Sequence, residues 1–363
     1  MALQNSNFMI RLSDNVLMVN DMAGLVSRLR RRIPGFASVG VLTDRNVEAT
    51  VIEQTGLLQK ISSSAHMSVV KPGEASKSLT VVEQLSQEWL EAGMDRNSLI
   101  INIGGGVVSD LGGFAASIFK RGIRFINIPT TLLSMIDASV GGKTGVNLGG
   151  AKNQIGTFSR ADEVIIWTGF LKWLPSRELK SGFAECLKHA FLQGGEALRL
   201  VNHGLPADPA TSASLVEASV KFKDSVVNAD LYEIGQRKIL NFGHTVGHAF
   251  ESASLLANAE PWLHGEAVAA GMLVALRLSV RVAGLSPDFA AKWEEFILNN
   301  FSIPKTCGMT SMSLMQFLRY DKKNVGNSLR FVLLKEPGMP LFDQEIAAES
   351  VREEVELVLS LLS

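Results

Sequence analysis

Short apolar, β-branched runs alternate with stretches of helical spacing through the first half of the chain, and the alternation stops near residue 170. The runs are SVGVLTD (38–44), SLIINIGGG (98–106), IRFINIPTT (123–131) and EVIIWT (163–168). They are apolar almost continuously rather than at every second position, as strands covered on both faces are. Between them, SLTVVEQLSQEWLEAG (78–93) places apolar residues at helical spacing and closes on Gly93, and another helix is predicted from about Ser109. Such alternation predicts a parallel sheet covered by helices. From about residue 175 the pattern changes: PSRE (175–178) opens long amphipathic stretches with little strand propensity. FVLLKEPG (331–338) is the one short run there that reads as a strand. The expected fold is therefore α/β followed by α, with an α/β domain over residues 1–170 and a mostly helical domain over 171–363.

Each strand run ends in Gly, Asp, Pro-Thr or Thr, the residue types found where strand ends form a ligand crevice. Gly104, Gly105 and Gly106 end one strand just before a predicted helix, so their backbone can approach a pyrophosphate closely. The full G-x-G-x-x-G fingerprint is absent because Ser109 takes its last position, which leaves a variant dinucleotide turn. SVGGKTG (139–145) resembles a Walker A loop, but Asp137 stands where that loop needs glycine, which disfavours a nucleotide triphosphatase.

Composition narrows the function classes further. With 35 basic against 36 acidic residues, no global field draws in nucleic acid or an anionic membrane. An anionic ligand would need a local cluster, and Arg121, Lys143, Lys152, Lys188, Lys223, Arg237, Lys322 and Lys323 are its scattered candidates. The longest apolar run of the second half, residues 267–276, is too short to span a bilayer. The N-terminal segment lacks the basic and apolar regions of a secretion signal. Two cysteines, Cys186 and Cys307, are too few for a disulfide framework and fit a reducing cytoplasm.

Three of the six histidines fall within LNFGHTVGHAFE (240–251) and LHGEAVAAGM (263–272). His244 and His248 stand four apart, so a helix projects both from one face. His264 follows a polar break, and GFAECLKH (182–189) offers Glu185 and Lys188 one turn apart. Two or three imidazoles with one carboxylate form the ligand set of a catalytic zinc. The same GH-x-x-GH pair could instead serve packing at a helix crossing, and spacing alone does not choose between these readings.

The chain resembles the 3-dehydroquinate synthase family of the sugar-phosphate cyclase superfamily. The resemblance runs from about Thr43 to Leu334 through TDRNV, KPGEASKSL, GGGVVSDLGGF, KRGIRFINIPTTLLSMIDASVGGKTGVN, KNQIGTF, LPSRE, GFAECLKHA, GQRKILNFGHTVGHAFE, LHGEAVAAGM and DKKNVGNSLRFVLL. It implies a Rossmann-like NAD-binding domain, a helical metal- and substrate-binding domain, an active site in the cleft and a homodimer. By resemblance, NAD is held by Asp44, Glu74, Lys77, Gly105, Gly106, Val107, Asp110, Thr130, Thr131, Lys143 and Lys152, with Phe170 and Glu178 closing the site. This chain has Trp173 where the family usually has Thr. The family pattern assigns Glu185, His244 and His264 to zinc, a site cobalt can also fill, and leaves His248 for proton transfer.

The substrate implied is 3-deoxy-D-arabino-heptulosonate 7-phosphate, a small phosphorylated keto-acid. Lys143, Asn153, Arg237 and one of Lys322 or Lys323 would surround its phosphate and carboxylate together with Lys152. Arg121 would reach the phosphate across a dimer interface. Lys188, Lys223 and Asn241 would hold the carboxylate end and ring hydroxyls, with Asp137 near the nicotinamide. The implied reaction is oxidation, β-elimination, reduction, ring opening and aldol cyclisation, a lyase overall. The alternatives are a cyclase acting on sedoheptulose 7-phosphate or glucose 6-phosphate, and a metal-dependent alcohol dehydrogenase. Asn241, Lys223, Arg237 and the DKK segment favour the carboxylated substrate over the first, and GGGV with GGKTG and KN disfavours the second.

Overall fold

A computed structural model describes residues 9–149, 151–206, 208–256, 261–306, 308–320 and 328–363. Lys322, Lys323 and Cys307 lie outside the described residues. The chain forms two compact units, Met1–Pro175 and Ser176–Ser363.

In the first unit the strands are β1 (Met9–Arg11), β2 (Val16–Val19), β3 (Val39–Asp44), β4 (His66–Val70), β5 (Leu99–Gly104), β6 (Arg124–Pro129), β7 (Lys143–Leu148), β8 (Ala151–Phe158) and β9 (Glu163–Ile166). Seven of them form one sheet in the order β1-β2-β9-β6-β5-β3-β4, parallel throughout except for the β1–β2 pair. The four continuous apolar runs are β3, β5, β6 and β9. Consecutive residues Val41 and Leu42, Ile100 and Ile101, and Val164 and Ile165 are all buried, so both faces of the sheet are covered. Each such side chain contributes roughly 1.5–3 kcal/mol on burial.

Helices α1 (Met22–Arg32), α2 (Leu79–Glu91) and α3 (Gly106–Ile118) belong to the same unit. The Asp21 carboxylate caps α1 by accepting from the Gly24 N–H at 2.7 Å. In α2, Val82, Leu85 and Trp89 are buried at the predicted spacing. Helix α3 begins at Gly106, three residues before the expected start, directly off the end of β5. A Cβ on Gly112 would lie 2.0 Å from Asn102 Oδ1 and 2.7 Å from Leu42 Cδ2. The close helix–strand packing that the fingerprint's last glycine provides is thus supplied one turn later, which explains why Ser109 is tolerated.

The antiparallel β7–β8 hairpin was not expected, because SVGGKTGVN and KNQIGTF carry little apolar alternation. From β3 the chain moves outward to β4 and then returns to the other side of β3 as β5. That reversal puts the topological switch point between β3 and β5.

The second unit contains α4 (Ser176–Gln193), α5 (Pro209–Ala229), α6 (His244–Leu256), α7 (His264–Leu278), α8 (Pro287–Asn300), α9 (Ser311–Tyr320) and α10 (Ala348–Leu361). An antiparallel hairpin, β10 (Ser328–Glu336) with β11 (Met339–Ala347), accompanies them. Residues 331–336 of the predicted run lie in β10, whereas β11 was missed because MPLFDQEIA has no continuous apolar core. Helix α7 is buried along almost its whole length and packs against α4, α6, α8 and α10. A Cβ on Gly271 would lie 1.9 Å from Gly243 O, so α7 and the start of α6 meet backbone to backbone. Among the described residues no helix is long and apolar enough to cross a membrane.

Candidate functional site

Helix α4 places Glu185 and Lys188 one turn apart, both fully buried, with the ammonium ion-paired to Glu185 Oε2. His244 and His264 are the first residues of α6 and α7. Their Nε2 atoms lie 3.5 and 3.6 Å from Glu185 Oε1. Metal bonds of about 2.0–2.1 Å in a tetrahedron leave ligand atoms about 3.3 Å apart, so this spacing suits ligands of one ion better than hydrogen bonds. Glu185 Oε2 is taken by Lys188, whereas Oε1, turned toward the two imidazoles, has no hydrogen-bond partner among the described residues. A buried carboxylate oxygen left without a donor is costly unless a cation satisfies it.

The ring contacts prepare these donors. His244 Nδ1 stands 3.2 Å from Phe242 O, which holds the proton there and turns the Nε2 lone pair toward Glu185. Burial, reinforced by Lys188, holds the His244 imidazole well below its ordinary pKa, so it is neutral. Burial alone would raise Glu185, but Lys188 and the neighbouring histidines keep it well below the usual carboxylate range. His264 has Glu185 on one side and Glu251 Oε2 3.8 Å from its Nδ1 on the other. Burial opposes its charge, yet these carboxylates outweigh burial and push it up to about 10. His248 stands beside both, with ring centroids 5.4 Å from His244 and 6.1 Å from His264.

Two groups of donors converge here, Glu185–His244–His264 and His248–Glu251–His264, and they share His264. A neutral imidazole offers one nitrogen to a metal, so Glu251 suits the Nδ1–H side of a ligating His264.

The same unit buries Lys223 and Arg237 as well as Lys188. Arg237 Nη1 donates to Leu231 O at 2.6 Å, and Asn241 Nδ2 donates to Glu233 Oε1 at 2.7 Å. Glu233 sits at φ +58°, a left-handed conformation that costs a non-glycine residue energy. The Asp230 carboxylate organises this loop by accepting from the backbone N–H groups of Ile234, Gly235 and Arg237. Sequence reasoning missed Asp230, Glu233 and Glu251. Only Glu251 had a usable signal, standing three residues after His248 in the same helix.

In the first unit Lys77 is buried and donates to Asp110 Oδ2 at 2.7 Å and Asn153 Oδ1 at 2.6 Å. Asn147, also overlooked, joins Asn153 to Glu74: its Oδ1 accepts from the Asn153 N–H, and its Nδ2 donates to Glu74. Asp44 ends β3 with Oδ1 accepting from the Asn46 and Val47 N–H groups. Gly105 and Gly106 follow β5, Val107 lies in the first turn of α3, and Thr130 and Thr131 follow β6. Asp44, the glycines and the threonines therefore share one sheet edge.

Other expected residues are placed differently. The Phe170 ring is buried against Trp167, and Lys172 Nζ stands 3.9 Å from the Trp173 ring centre. Trp173 donates through Nε1 to Gln54 Oε1 at 3.1 Å. Glu178 lies in the first turn of α4, its carboxyl raised by burial. Asp137 is half-buried in the helical turn Ser134–Ala138, with Lys143 on β7 and Lys152 on β8. Arg121 follows the far end of α3, about 18 Å from Gly106 by helical rise, and so is not at the sheet edge that Asp44, the glycines and the threonines share.

Residues 67–181 match the family model described as 3-dehydroquinate synthase N-terminal, and residues 182–324 match its C-terminal counterpart. A 3-dehydroquinate synthase of Leptospira interrogans is 41% identical over 337 residues, 92% of this chain and 91% of that protein. The chain belongs to the 3-dehydroquinate synthase family. Solved structures agree on the fold. A 2-deoxy-scyllo-inosose synthase complexed with carbaglucose-6-phosphate, NAD+ and Co2+ superposes with a TM-score of 0.84 at 24% identity, covering 96% of this chain and 99% of that one. A 2-epi-5-epi-valiolone synthase from Streptomyces hygroscopicus, with NAD+ and Zn2+ bound, gives 0.84 at 23% identity over 99% of this chain and 100% of that one. Members of the 3-dehydroquinate synthase family are enzymes, and this chain is one of them.

Proposed function

We propose that this chain converts 3-deoxy-D-arabino-heptulosonate 7-phosphate to 3-dehydroquinate and phosphate, holding NAD and a divalent metal, zinc by preference. One observation carries the reading: in a chain of this family, a buried carboxylate oxygen without a hydrogen-bond donor, Glu185 Oε1, faces the Nε2 atoms of two histidines, in a unit that also buries Lys188, Lys223 and Arg237. The first part suits an ion and the second a multiply anionic substrate.

Glu185, His244 and His264 would hold the metal, and Asp44, Glu74, Lys77, Gly105, Gly106, Val107, Asp110, Thr130, Thr131, Lys143, Lys152, Phe170 and Glu178 would hold NAD. When bound, the metal supplies Lewis acidity at a substrate oxygen and NAD a reversible hydride acceptor. The chain's own residues do the rest. Lys188 keeps Glu185 anionic, and Glu251 orients the His264 ring. His248 stands where it can take or return a proton from a substrate hydroxyl. Lys223, Arg237 and Asn241 bind the carboxylate end, with Glu233 holding the Asn241 amide. Lys143, Asn153 and Lys152 take the phosphate, and Asp137 lies toward the reacting carbon. Phosphate leaves by β-elimination, and its own oxygen can accept the proton, so no strong protein base is required. Positioning of a flexible intermediate is then the main demand on the protein.

Arg121, remote from the nucleotide edge of its own chain, would serve the phosphate of a second subunit in a homodimer. Free, buried Cys186 fits a cytoplasmic enzyme. The deciding experiment measures phosphate release with catalytic NAD and zinc. Release from the heptulosonate is expected; release from sedoheptulose 7-phosphate alone would overturn the proposed substrate.

A further inference from the structure

Arg177, Ser181 and Glu185 stand at positions i, i+4 and i+8 of α4 and so form one stripe along the helix. Glu185 is the carboxylate of the ligand trio, and the other two residues reach the start of α7, where His264 sits. The Arg177 guanidinium grips Glu266 with two parallel bonds, Nε to Oε1 at 2.6 Å and Nη2 to Oε2 at 2.8 Å, and Nη2 also donates to Pro261 O at 3.0 Å. Glu266 Oε2 in turn accepts from the Leu263 N–H at 2.7 Å. On the other side of His264, the Gly265 N–H donates to Ser181 Oγ at 3.0 Å in a buried contact. A Cβ on Gly265 would lie 1.9 Å from Ser181 O, so the two backbones touch here.

The first N–H groups of a helix have no partner within it and ordinarily turn to solvent or to a local cap. Here the Gly265 N–H is fastened directly to the helix that carries Glu185, and the Leu263 N–H is capped by Glu266, which Arg177 of that same helix grips. A forked guanidinium–carboxylate pair fixes plane as well as distance, which a single point charge does not. We infer that Arg177, Ser181 and Glu266 are positioning residues of the metal site, setting the distance between the Glu185 and His264 donors. The inference rests on the proposed ligand trio. It assigns these residues no contact with metal or substrate; they act through the backbone of residues 263–265.

The test uses the full-length protein stripped of metal and titrated with Co2+. The Co2+ dissociation constant by chelator competition, the visible Co2+ spectrum and the melting temperature of the metal-free form are measured for wild type, Arg177→Lys, Glu266→Gln and Ser181→Ala. Arg177→Lys keeps the charge and loses the fork. Both it and Glu266→Gln are expected to weaken Co2+ binding about 10–100-fold, with a shifted visible band. Ser181→Ala removes one bond and should weaken binding by less than either. A merely structural role would lower the metal-free melting temperature while leaving affinity and spectrum unchanged, and that result overturns the inference. If the Arg177 and Glu266 variants fail to fold, Ser181→Ala decides: unchanged affinity and band refute the positioning role. A wild-type protein that takes up no Co2+ would remove the ligand trio itself, a failure distinguishable from one confined to the variants.

Discussion

The two units build their candidate sites from different materials. The proposed nucleotide edge of the first is largely backbone: strand ends, Gly105 and Gly106, the open start of α3, and half-exposed polar side chains such as Asp44, with Lys77 the buried charge among them. The proposed metal and substrate region of the second is almost all side chain, with Glu185, Lys188, Lys223 and Arg237 taken out of water. A backbone cradle costs little to keep empty, because its N–H groups find water. Buried charges cost several kcal/mol each unless matched, so Glu185 and Lys188 depend on each other. Single substitutions should therefore be more damaging in the second unit than in the first, and each should disable its own cofactor alone.

The largest effect is expected for Glu185→Ala. It removes a proposed ligand and leaves the buried Lys188 ammonium without its carboxylate. Metal content measured on the purified variant should fall to background, and urea unfolding should show a loss of about 3–5 kcal/mol. NAD affinity should stay within about twofold of wild type, since none of its proposed contacts is shared with Glu185. Loss of both cofactors together would break the comparison.

Lys77→Met is the matching change in the first unit. Lys77 bonds Asp110 and Asn153, which leaves two acceptors without their cation when it is lost. NAD affinity, read by calorimetric titration, should weaken about tenfold, equivalent to about 1.4 kcal/mol. Metal content should not change. A drop in metal content would show that Lys77 supports more than the nucleotide edge.

The same contrast explains what could be read in the sequence. Continuous apolar runs need both faces of a sheet covered, so β3, β5, β6 and β9 were legible from composition alone. The β7–β8 hairpin and β11 were hidden, because half-exposed strands with polar residues scattered through them carry weak periodicity. The histidine spacing located the second site but did not choose among His244, His248 and His264, since their three rings converge from two helices. Family resemblance supplied that choice. Glu233 left no trace, because its role depends on a left-handed backbone turn that puts its carboxylate on Asn241 eight residues away. Glu251 was there to be found at helical spacing from His248.

The smallest effect sharpens the comparison from the other direction. The Asp44 carboxyl, at the proposed nucleotide edge, has its pKa displaced upward: burial raises it, and the N–H groups of Asn46 and Val47 recover only part of the cost. A carboxyl with a raised pKa in the folded state binds its proton more tightly there than in the unfolded chain. Folding is then penalised once pH rises above the ordinary aspartate range, and the penalty is fully present above the folded-state value. Asp44→Asn removes the charge while keeping a good capping residue. The variant should melt slightly higher than wild type at neutral pH, by no more than about 2 °C. That advantage should shrink as pH falls and vanish below the ordinary aspartate range, where wild type is protonated in both states. NAD affinity at neutral pH should fall several-fold, because the proposed ribose contact loses its anionic acceptor. A variant that melts lower at neutral pH would mean that the carboxylate stabilises the helix start more than its burial costs. The first unit would then depend on a partly buried charge just as the second does.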